Sequence, residues 1–333
     1  MIKLNLQMFG DGDTGTSTPA VSTPTVNTTG TSTLSAEMQT YYSDYLIDNA
    51  VPNLVHDQFG QKHAIPAGSG KTISFRKFVP FSKATTALTE GVTPDGGSLS
   101  VTKLESTVSQ YGYYVTLSDV LMLTAIDNTL LETTVLLGNQ AGATLDTVTR
   151  EVLNGGTNVM FAGGVSARAS LAATNKLKVE DIFKAARFLK TQNAPKINGS
   201  YVAIIHPDVA YDLMRDSEWI DAHKYSATTE LFEGEIGKIA GVRFVETTEA
   251  KIFTGTNISV YSTLVLGANA YGVTEVTGGG LKTIVKQLGS GGTGDPLDQR
   301  ATAGWKAVKT AERLVENYMI RIESASSFNS TVN

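Results

Sequence analysis

The chain has no cysteine among its 333 residues, and it lacks an excess of positive charge and long apolar runs. Without cysteine, disulfide bonds, cysteine-zinc sites and thiol catalysis are excluded. With 27 Lys and Arg against 32 Asp and Glu, the net charge is −5, so a general DNA-coating surface is not expected and any nucleic-acid contact would be local. No apolar run approaches the ~18 residues that a membrane-spanning helix needs, so no membrane partner is expected.

Signals of catalysis are also scarce. The four histidines, His56, His63, His206 and His223, form no two-histidine pattern that would place metal ligands on one helical face. The string His206-Pro207-Asp208 favours the start of a helix over a metal site, since proline is common in the first helical turn. No Gly-x-Ser-x-Gly motif is present, and no pair of carboxylates stands out. We therefore expect no enzyme, no metal and no cofactor.

Two glycine-rich strings raise the alternative of nucleotide binding. Gly-Ser-Gly-Lys-Thr ends at Thr72, but a phosphate-binding loop requires a further glycine at position 65, which is isoleucine. The residues after Thr72 alternate like a strand, whereas a phosphate site needs the N-terminus of a helix. The second string, 289–294, is followed by Asp295-Pro296, which disfavours an anion site. Both strings are interpreted as turns or connections.

The N-terminal segment 1–34 is rich in serine and threonine between residues 11 and 33. Such a composition buries too little apolar surface to offset the entropy of ordering, so the segment is predicted to be disordered. A serine- and threonine-rich stalk of a surface adhesin is the alternative. Met1–Phe9 lacks the apolar core and cleavage site of a secretory signal, so we expect the protein to be soluble and intracellular when made.

After an amphipathic helical pattern that begins at Ser35, residues 60–112 change character, and 73–79 and 101–115 alternate with period two. The alternation predicts a long two-stranded ribbon with a turn at 94–97. Because a ribbon has too little core to be stable alone, we expect it to lie against another chain. Lys71, Arg76, Lys77, Lys83 and Lys103 make it locally basic. Solvated faces, and contacts to a neighbouring molecule, are both compatible with this charge.

A helix is predicted from about residue 126 to 154, where apolar residues recur at steps of three, four or seven. Gly138 and Gly142 within it each cost about 1 kcal/mol relative to alanine. Close packing against a sheet or another subunit would explain them.

Residues 176–288 predict a mixed α/β unit. Helices are expected over 179–191 and after His206, and strands over 201–205, 242–246, 259–266 and 283–288. In the last segment, 305–314 and 318–322 favour strands, although 305–314 is also compatible with a helix.

Five strings, in this order, resemble the major capsid proteins of tailed bacteriophages, which share the fold first named for phage Hong Kong 97. They are Tyr-Tyr-Ser-Asp-Tyr-Leu-Ile at 41–47, Thr-Glu-Gly-Val-Thr-Pro-Asp at 89–95, Tyr-Val-Thr-Leu-Ser-Asp at 114–119, the segment 145–156 and the segment 294–306. The strings are most similar to the branch typified by the main coat protein of coliphage N-four.

The resemblance implies an α+β fold in which segment 35–59 is the N-arm and segment 60–112 is the extended E-loop. The P-domain would comprise 113–175 with its spine helix, the A-domain 176–288, and the strands that return to the P-domain 289–333. It also implies that Lys71, Arg76, Lys77, Lys83, Lys103 and Glu105, all in the E-loop, contact neighbouring subunits.

By the same resemblance, the chain would self-assemble into hexamers and pentamers of an icosahedral head around double-stranded DNA. A separate scaffolding protein is implied because only a short segment precedes the fold. Further expected partners are a portal, DNA through weak local contacts, and a possible decoration protein. The expected location is the virion, after assembly in the cytoplasm of the bacterial host.

Overall fold

The computed structural model describes residues 26–27, 55–66, 70–78, 81–88, 90–93, 96–125, 129–223, 237–254, 258–276, 280–290 and 294–328. The strands are β1 Val26–Asn27, β2 Gln61–Ile65, β3 Thr72–Phe78, β4 Val101–Thr107, β5 Ser109–Ser118, β6 Val159–Phe161, β7 Tyr201–Ile205, β8 Lys238–Ile239, β9 Val242–Glu246, β10 Ile252–Thr254, β11 Ser259–Leu266, β12 Tyr271–Val276, β13 Lys282–Lys286, β14 Arg300–Arg313 and β15 Met319–Ser324. The helices are α1 Asp119–Thr124, α2 Thr129–Asn154, α3 Val179–Thr191, α4 Pro207–Met214 and α5 Ser217–His223.

A first sheet of six strands is built around β14. β5 pairs antiparallel with one edge of β14, from Arg300 opposite Ser118 to Lys309 opposite Ser109. Along the other edge, β13 and β12 pair with β14 one after the other. β2 and β1 complete the sheet as parallel partners of β12 and β5. The length of β14 therefore holds together strands that lie far apart in the sequence.

A second sheet of seven strands has the order β6-β15-β11-β7-β9-β8, with β10 also pairing with β11. Its central strands β7 and β11 are almost wholly buried. One face packs against α3 and α4 in a core that includes Ile182, Leu189 and Leu213. The opposite face contributes Ile204 and Leu264 to a second core. Burial on both faces explains why β7 is a continuous apolar run rather than an alternating one.

The long helix α2 connects the two sheets. Its N-terminal and middle turns pack Leu137, Ala141 and Leu145 against Ala303 and Trp305 of the first sheet. At its C-terminal end, Leu153 enters the core under the second sheet. At 1.5 Å per residue its 26 residues extend about 39 Å, long enough to contact both sheets.

Many local elements agree with the sequence prediction. α3, β7, β9 and β11 have the predicted bounds, and α2 ends at Asn154 as expected. Residues 126–128, the predicted start of α2, lie outside the described residues. α4 begins at Pro207, and the His206 side chain accepts a hydrogen bond from the Asp208 backbone N–H at 3.2 Å. Segment 305–314, for which a helix was also considered, belongs to the strand β14 as far as Arg313.

The sheets do not follow the predicted segment boundaries. β12 and β13, in the segment 176–288, pair with β14 in the first sheet. β6 and β15, from outside that segment, extend the second sheet. β2, in the segment 60–112, also belongs to the first sheet. Strand pairing over long sequence separations determines this arrangement, and local periodicity carries no information about it.

One correction concerns the N-terminal segment 1–34, which was predicted to be disordered throughout. Val26 and Asn27 form β1 and pair with Thr116 and Leu117 of β5. Backbone hydrogen bonding at an open sheet edge accepts nearly any side chain, which is why composition did not reveal this strand. The rest of segment 1–34 and the predicted helix that begins at Ser35 lie outside the described residues.

A buried polar seam attaches residues 56–57 to α2 and β14. His56 donates its backbone N–H to Asp146 at 2.8 Å, and its ring Nδ1 lies 2.6 Å from the same carboxylate. Asp57 accepts hydrogen bonds from Thr149 at 2.6 Å and from the Lys309 ammonium, which also donates to the Leu145 carbonyl at 2.9 Å. The buried ammonium is thus paired and hydrogen-bonded, as a charge in this position must be.

The C-terminal segment is held against α4 by Asp212. Its carboxylate accepts hydrogen bonds from the Ser326 hydroxyl at 2.8 Å and the Ser327 backbone N–H at 2.7 Å, and the Lys176 ammonium lies 3.4 Å away. Burial raises the pKa of Asp212, but the hydrogen bonds from Ser327 and Ser326 and the Lys176 charge outweigh it and hold the pKa below its usual value. The ionised carboxylate therefore stabilises the folded C-terminus.

Replacing Lys309 by methionine should strongly destabilise the subunit. The side chain is only 2% exposed, and its removal leaves the Asp57 carboxylate without its cation. We expect the free energy of unfolding, measured by urea denaturation, to fall by about 3 kcal/mol. Lys306→Met is the matched control, because Lys306 lies on the same strand but is exposed, and it should cost less than about 0.5 kcal/mol. Equal losses for both variants would contradict the seam.

Asp212 should make stability depend on pH. Because its folded pKa is depressed, its contribution is present above the unfolded pKa of about 4 and is lost as the pH falls through the folded value. Wild type should therefore exceed Asp212→Asn in free energy of unfolding at pH 7, and the difference should shrink steadily towards pH 3. Asp298→Asn, at an exposed position, should show no such trend. A pH-independent difference for Asp212→Asn would refute this role.

Candidate assembly surface

The ribbon, defined as β3 and β4, forms a two-stranded sheet of its own. Its antiparallel register runs from Thr72 opposite Thr107 to Phe78 opposite Val101. Since side chains alternate between faces, Ser74 and Arg76 share one face with Lys103 and Glu105. Phe75 and Leu104 lie on the other face. The ribbon thus has a charged face and a mainly apolar face.

The base of the ribbon is fixed to the first sheet. The Phe75 ring lies 5.4 Å from the His63 ring in an edge-on arrangement. It also packs so closely on Gly272 that a Cβ there would lie 3.2 Å from the Phe75 ring. Between the ribbon and β14, the Ser106 and Thr310 hydroxyls are 3.0 Å apart. These contacts set the direction in which the ribbon extends from the first sheet.

Beyond its base, the ribbon and its connecting loop expose large apolar side chains. Phe81 is 67% exposed and Leu88 77%, and Val92, Leu99 and Val101 are also exposed. Fully burying one such side chain stabilises a protein by about 1.5–3 kcal/mol. The single subunit does not realise this stabilisation. Several large exposed apolar side chains in one segment are typical of an interaction surface.

The predicted charged residues are only partly brought together. Arg76 lies directly opposite Lys103, and Lys103 forms an ion pair with Glu105 on the same face. Lys71 precedes β3 and Lys83 follows its end, and both are exposed. Lys77 belongs to β3, and its side chain lies outside the described part of the structure. Arg76, Lys103 and Glu105 therefore form one charged group, to which Lys71 and Lys83 do not belong.

Exposed apolar side chains also lie on α1 and on the N-terminal half of α2. Val120 and Leu123 on α1 and Val135 and Leu136 on α2 are exposed, and Leu123 reaches 81%. Together with Asp119 and Glu132, we call them the α1–α2 patch. The sequence analysis did not predict these exposed residues, because the apolar period of α2 indicates only its buried side. The signal available was that Val135 and Leu136 fall outside that period.

A third exposed surface surrounds β13, whose five residues are all exposed. It carries Leu281, Ile284, Val285 and Leu288. Lys282 and Lys286 are the first and last residues of the strand, so this surface is apolar with basic ends.

The first glycine-rich string leads directly into a strand, because β3 begins at Thr72, immediately after Lys71. Residues 67–69 and 291–293 of the two strings lie outside the described residues. A cleft of about 660 Å³ lies beside the ribbon base and is lined by His63, Phe75 and Leu104 among others. In the described ranges, no group of three or more His, Asp or Glu residues is placed to hold a metal ion. Within the same ranges, no helix is both long and apolar enough to cross a membrane.

The fold matches solved capsid structures over most of the chain. The capsid of cyanophage P-SCSP1u superposes with a TM-score of 0.66 at 16% identity, covering 87% of this chain and 93% of that one. The capsid of Ralstonia phage GP4 gives 0.66 at 16% identity, with 88% and 96% covered. The cyanophage Pam1 capsid gives 0.67 at 11% identity, with 87% and 94% covered. At these identities, the likeness establishes the Hong Kong 97 fold.

The sequence itself matches a family model. No curated protein sequence matches the chain significantly. The model described as phage capsid protein matches residues 101–319, which is more than half of the chain and spans β4 to the start of β15. The chain therefore belongs to the phage capsid protein family and is a structural protein of phage heads.

Proposed function

We propose that the chain is the major capsid protein whose copies assemble into the pentamers and hexamers of an icosahedral head around double-stranded DNA. The observation that carries the proposal is the ribbon, which leaves the body without a core of its own and exposes apolar side chains along its loop. Burial of these side chains requires a second molecule, and in a closed shell that molecule is another copy of the chain.

In this proposal the ribbon acts as the E-loop that reaches across a neighbouring subunit. Arg76, Lys103 and Glu105 on its charged face would make polar contacts there, with Lys71, Lys77 and Lys83 as further contacts along the segment 60–112. The fixed base supports this role, because the Phe75 and Ser106 contacts hold the ribbon in one direction. A preformed direction lowers the entropy that each new contact must offset.

The resemblance implies a P-domain and an A-domain, which we assign here by sheet rather than by the segments 113–175 and 176–288. The first sheet and α2 would form the P-domain, and the second sheet with α3 and α4 would form the A-domain around the capsomer axis. Residues 35–59 would be the N-arm, and their attachment through His56 and Asp57 to α2 supports a fixed exit point for it. The strings quoted above favour the branch typified by the coliphage N-four coat protein.

The net charge of −5 favours weak, local contacts with packaged DNA, because a strongly basic surface would hold the DNA by releasing counterions. A separate scaffolding protein, a portal and possibly a decoration protein would complete the set of partners. We place assembly in the cytoplasm of the bacterial host and the final location in the virion. The role is structural, and no catalytic activity is proposed.

Nucleotide binding and a surface adhesin, the two alternatives from the sequence, find no support in a specific observation. The strand after Lys71 removes the helix that a phosphate loop needs. Membership of a phage capsid family disfavours an adhesin.

Shortening the ribbon tests the proposal. Phe75 and Leu104 are cross-strand partners, so residues 76–103 can be replaced by a two-residue Asn-Gly turn. The base contacts of Phe75 and Ser106 remain. We expect the variant to fold with a free energy of unfolding within about 1 kcal/mol of wild type. It should form no closed shells by electron microscopy, under conditions in which wild type does.

The control is the wild-type chain, produced and purified in parallel with the same head proteins. Normal shells from the shortened chain would show that the ribbon does not hold the subunits together. Failure of wild type to form shells or capsomers under any condition would contradict the proposed assembly itself.

A further inference from the structure

We propose that the exposed face of α3 is the place where each subunit contacts packaged double-stranded DNA, through the phosphate backbone and independently of base sequence. The inference rests on the proposed function and locates the weak, local DNA contacts that the net charge of the chain allows. It places this face of α3 on the inner surface of the head, where packaged DNA lies.

α3 has one buried and one exposed face. Four side chains anchor it in the core beside the second sheet: Ile182, Ala185, Ala186 and Leu189. Phe183, Lys184, Arg187 and Lys190 are exposed instead. These four follow one another at steps of three or four residues, which places neighbouring side chains on the same side of a helix. We call them the α3 face.

The charge of the α3 face is only partly compensated within the subunit. The Lys184 ammonium lies 2.8 Å from the Glu180 carboxylate, one turn earlier on the same helix. Among the described residues, neither Arg187 nor Lys190 has an ion-pair partner. Between residues 182 and 207 the sequence has four Lys and Arg residues and no Asp or Glu, although the chain as a whole has a net charge of −5. The end of α3 is therefore a local excess of positive charge.

The helix dipole accounts for only part of this charge. Cations in the last turn of a helix interact favourably with its free carbonyl groups, and Lys190 lies in that turn. Lys184 and Arg187 lie further from the end, where the effect has faded. The dipole also does not explain why the segment that follows α3, up to residue 207, lacks carboxylates. A helix face that is merely solvated usually carries both signs of charge.

The α3 face is held in a fixed position. The Ala194 backbone N–H donates to the Leu189 carbonyl at 3.0 Å, and the Tyr201 hydroxyl donates to the Ala194 carbonyl at 3.1 Å. Further on, Ile197 and Ser200 exchange two backbone hydrogen bonds of 2.8 and 3.1 Å. These bonds tie the end of the helix to the strand β7. Cations on a fixed helix lose less conformational entropy when an anion binds than cations on a mobile loop.

A linear polyanion fits the α3 face better than a protein surface does. At 1.5 Å per residue, Lys184, Arg187 and Lys190 are separated by steps of about 4.5 Å along the helix. Double-stranded DNA offers one negative charge per about 1.7 Å of its axis, so phosphates are available to every cation of such a row. Protein surfaces intersperse charges of both signs, and a positive charge on the partner would be repelled.

The expected strength agrees with weak contacts. Each neutralised phosphate contributes about −0.9 to the slope of the logarithm of the binding constant against the logarithm of the salt concentration. Two or three contacts per subunit therefore give a slope of about −2 to −3. One subunit binds DNA weakly at physiological salt, and only the many copies of a shell act together on the packaged molecule.

Neutralising the two unpaired cations tests the inference. Binding of unassembled subunits to a short labelled DNA duplex is followed by fluorescence anisotropy over a series of salt concentrations. Arg187→Gln combined with Lys190→Gln should weaken binding at low salt at least about tenfold and reduce the slope by about 1.8, because two phosphate contacts are lost. Glu180→Gln should strengthen binding, since it removes the carboxylate that pairs with Lys184.

The matched control carries the same change of charge on the β13 surface. Lys282→Gln combined with Lys286→Gln should leave both the affinity and the slope unchanged. An unchanged slope in the α3 double variant, or an equal loss in the β13 double variant, would overturn the inference. Neither result concerns assembly, so the proposed function stands as long as wild type forms shells, and only the failure of wild type to assemble would contradict it.

A label at Phe183 tests the contact inside filled heads. Because the chain has no cysteine, Phe183→Cys provides a single site for a benzophenone maleimide. Irradiation of filled heads should join this label to DNA, which is detected as subunit that retains a DNA fragment after nuclease digestion. Ile284→Cys, on β13, should give no such product. A product between Phe183→Cys and another head protein would assign the α3 face to a protein partner and overturn the DNA contact.

Discussion

The helix α2 is the element on which both sheets depend. Its N-terminal half covers the first sheet through Leu137 and Ala141, and its end enters the core under the second sheet at Leu153. Between these contacts, Asp146 and Thr149 bind residues 56 and 57. The same helix therefore positions the ribbon, which leaves the first sheet, relative to the second sheet. A displacement of α2 would change the packing of both sheets at once.

The ribbon adds a second constraint on the structure, because it has no core of its own. Two strands cannot enclose a core, so the residues between its base and its turn gain little from folding within one subunit. Its stabilisation has to come from another molecule, which couples the order of this segment to assembly. The fixed base at Phe75 and Gly272 makes that coupling directional. Exposed apolar side chains at the ribbon, the α1–α2 patch and β13 are then surfaces of an incomplete assembly rather than defects of a monomer.

Prediction from the sequence succeeded where the signal is local. The amphipathic period gave α3 its bounds, and the buried run Tyr201–Ile205 gave β7. It failed where distant residues meet. The place of β13 in the first sheet, the pairing of Val26 with Thr116, and the buried contact of His56 with Asp146 each depend on tertiary register. A segment's own periodicity does not encode such pairings.

The same limit applies to the candidate site. The sequence indicated a basic ribbon, but only the register places Arg76 opposite Lys103 and next to Glu105. The α1–α2 patch consists of apolar residues that the fold leaves exposed, so the periodic pattern that predicts the buried side of a helix does not identify it. Gly138 lies within the predicted helix, and close packing against the sheet does not explain it, because a Cβ there would meet nothing within 4 Å.

The central claim is that this chain builds a shell in which each ribbon is completed by a neighbouring copy. A cryo-electron microscopy reconstruction of purified heads or shells tests it most directly. The account predicts density for residues 72–107 that crosses the subunit boundary and lies on the adjacent copy. A ribbon folded back on its own subunit, or a shell in which residues 72–107 contact no neighbour, would contradict it.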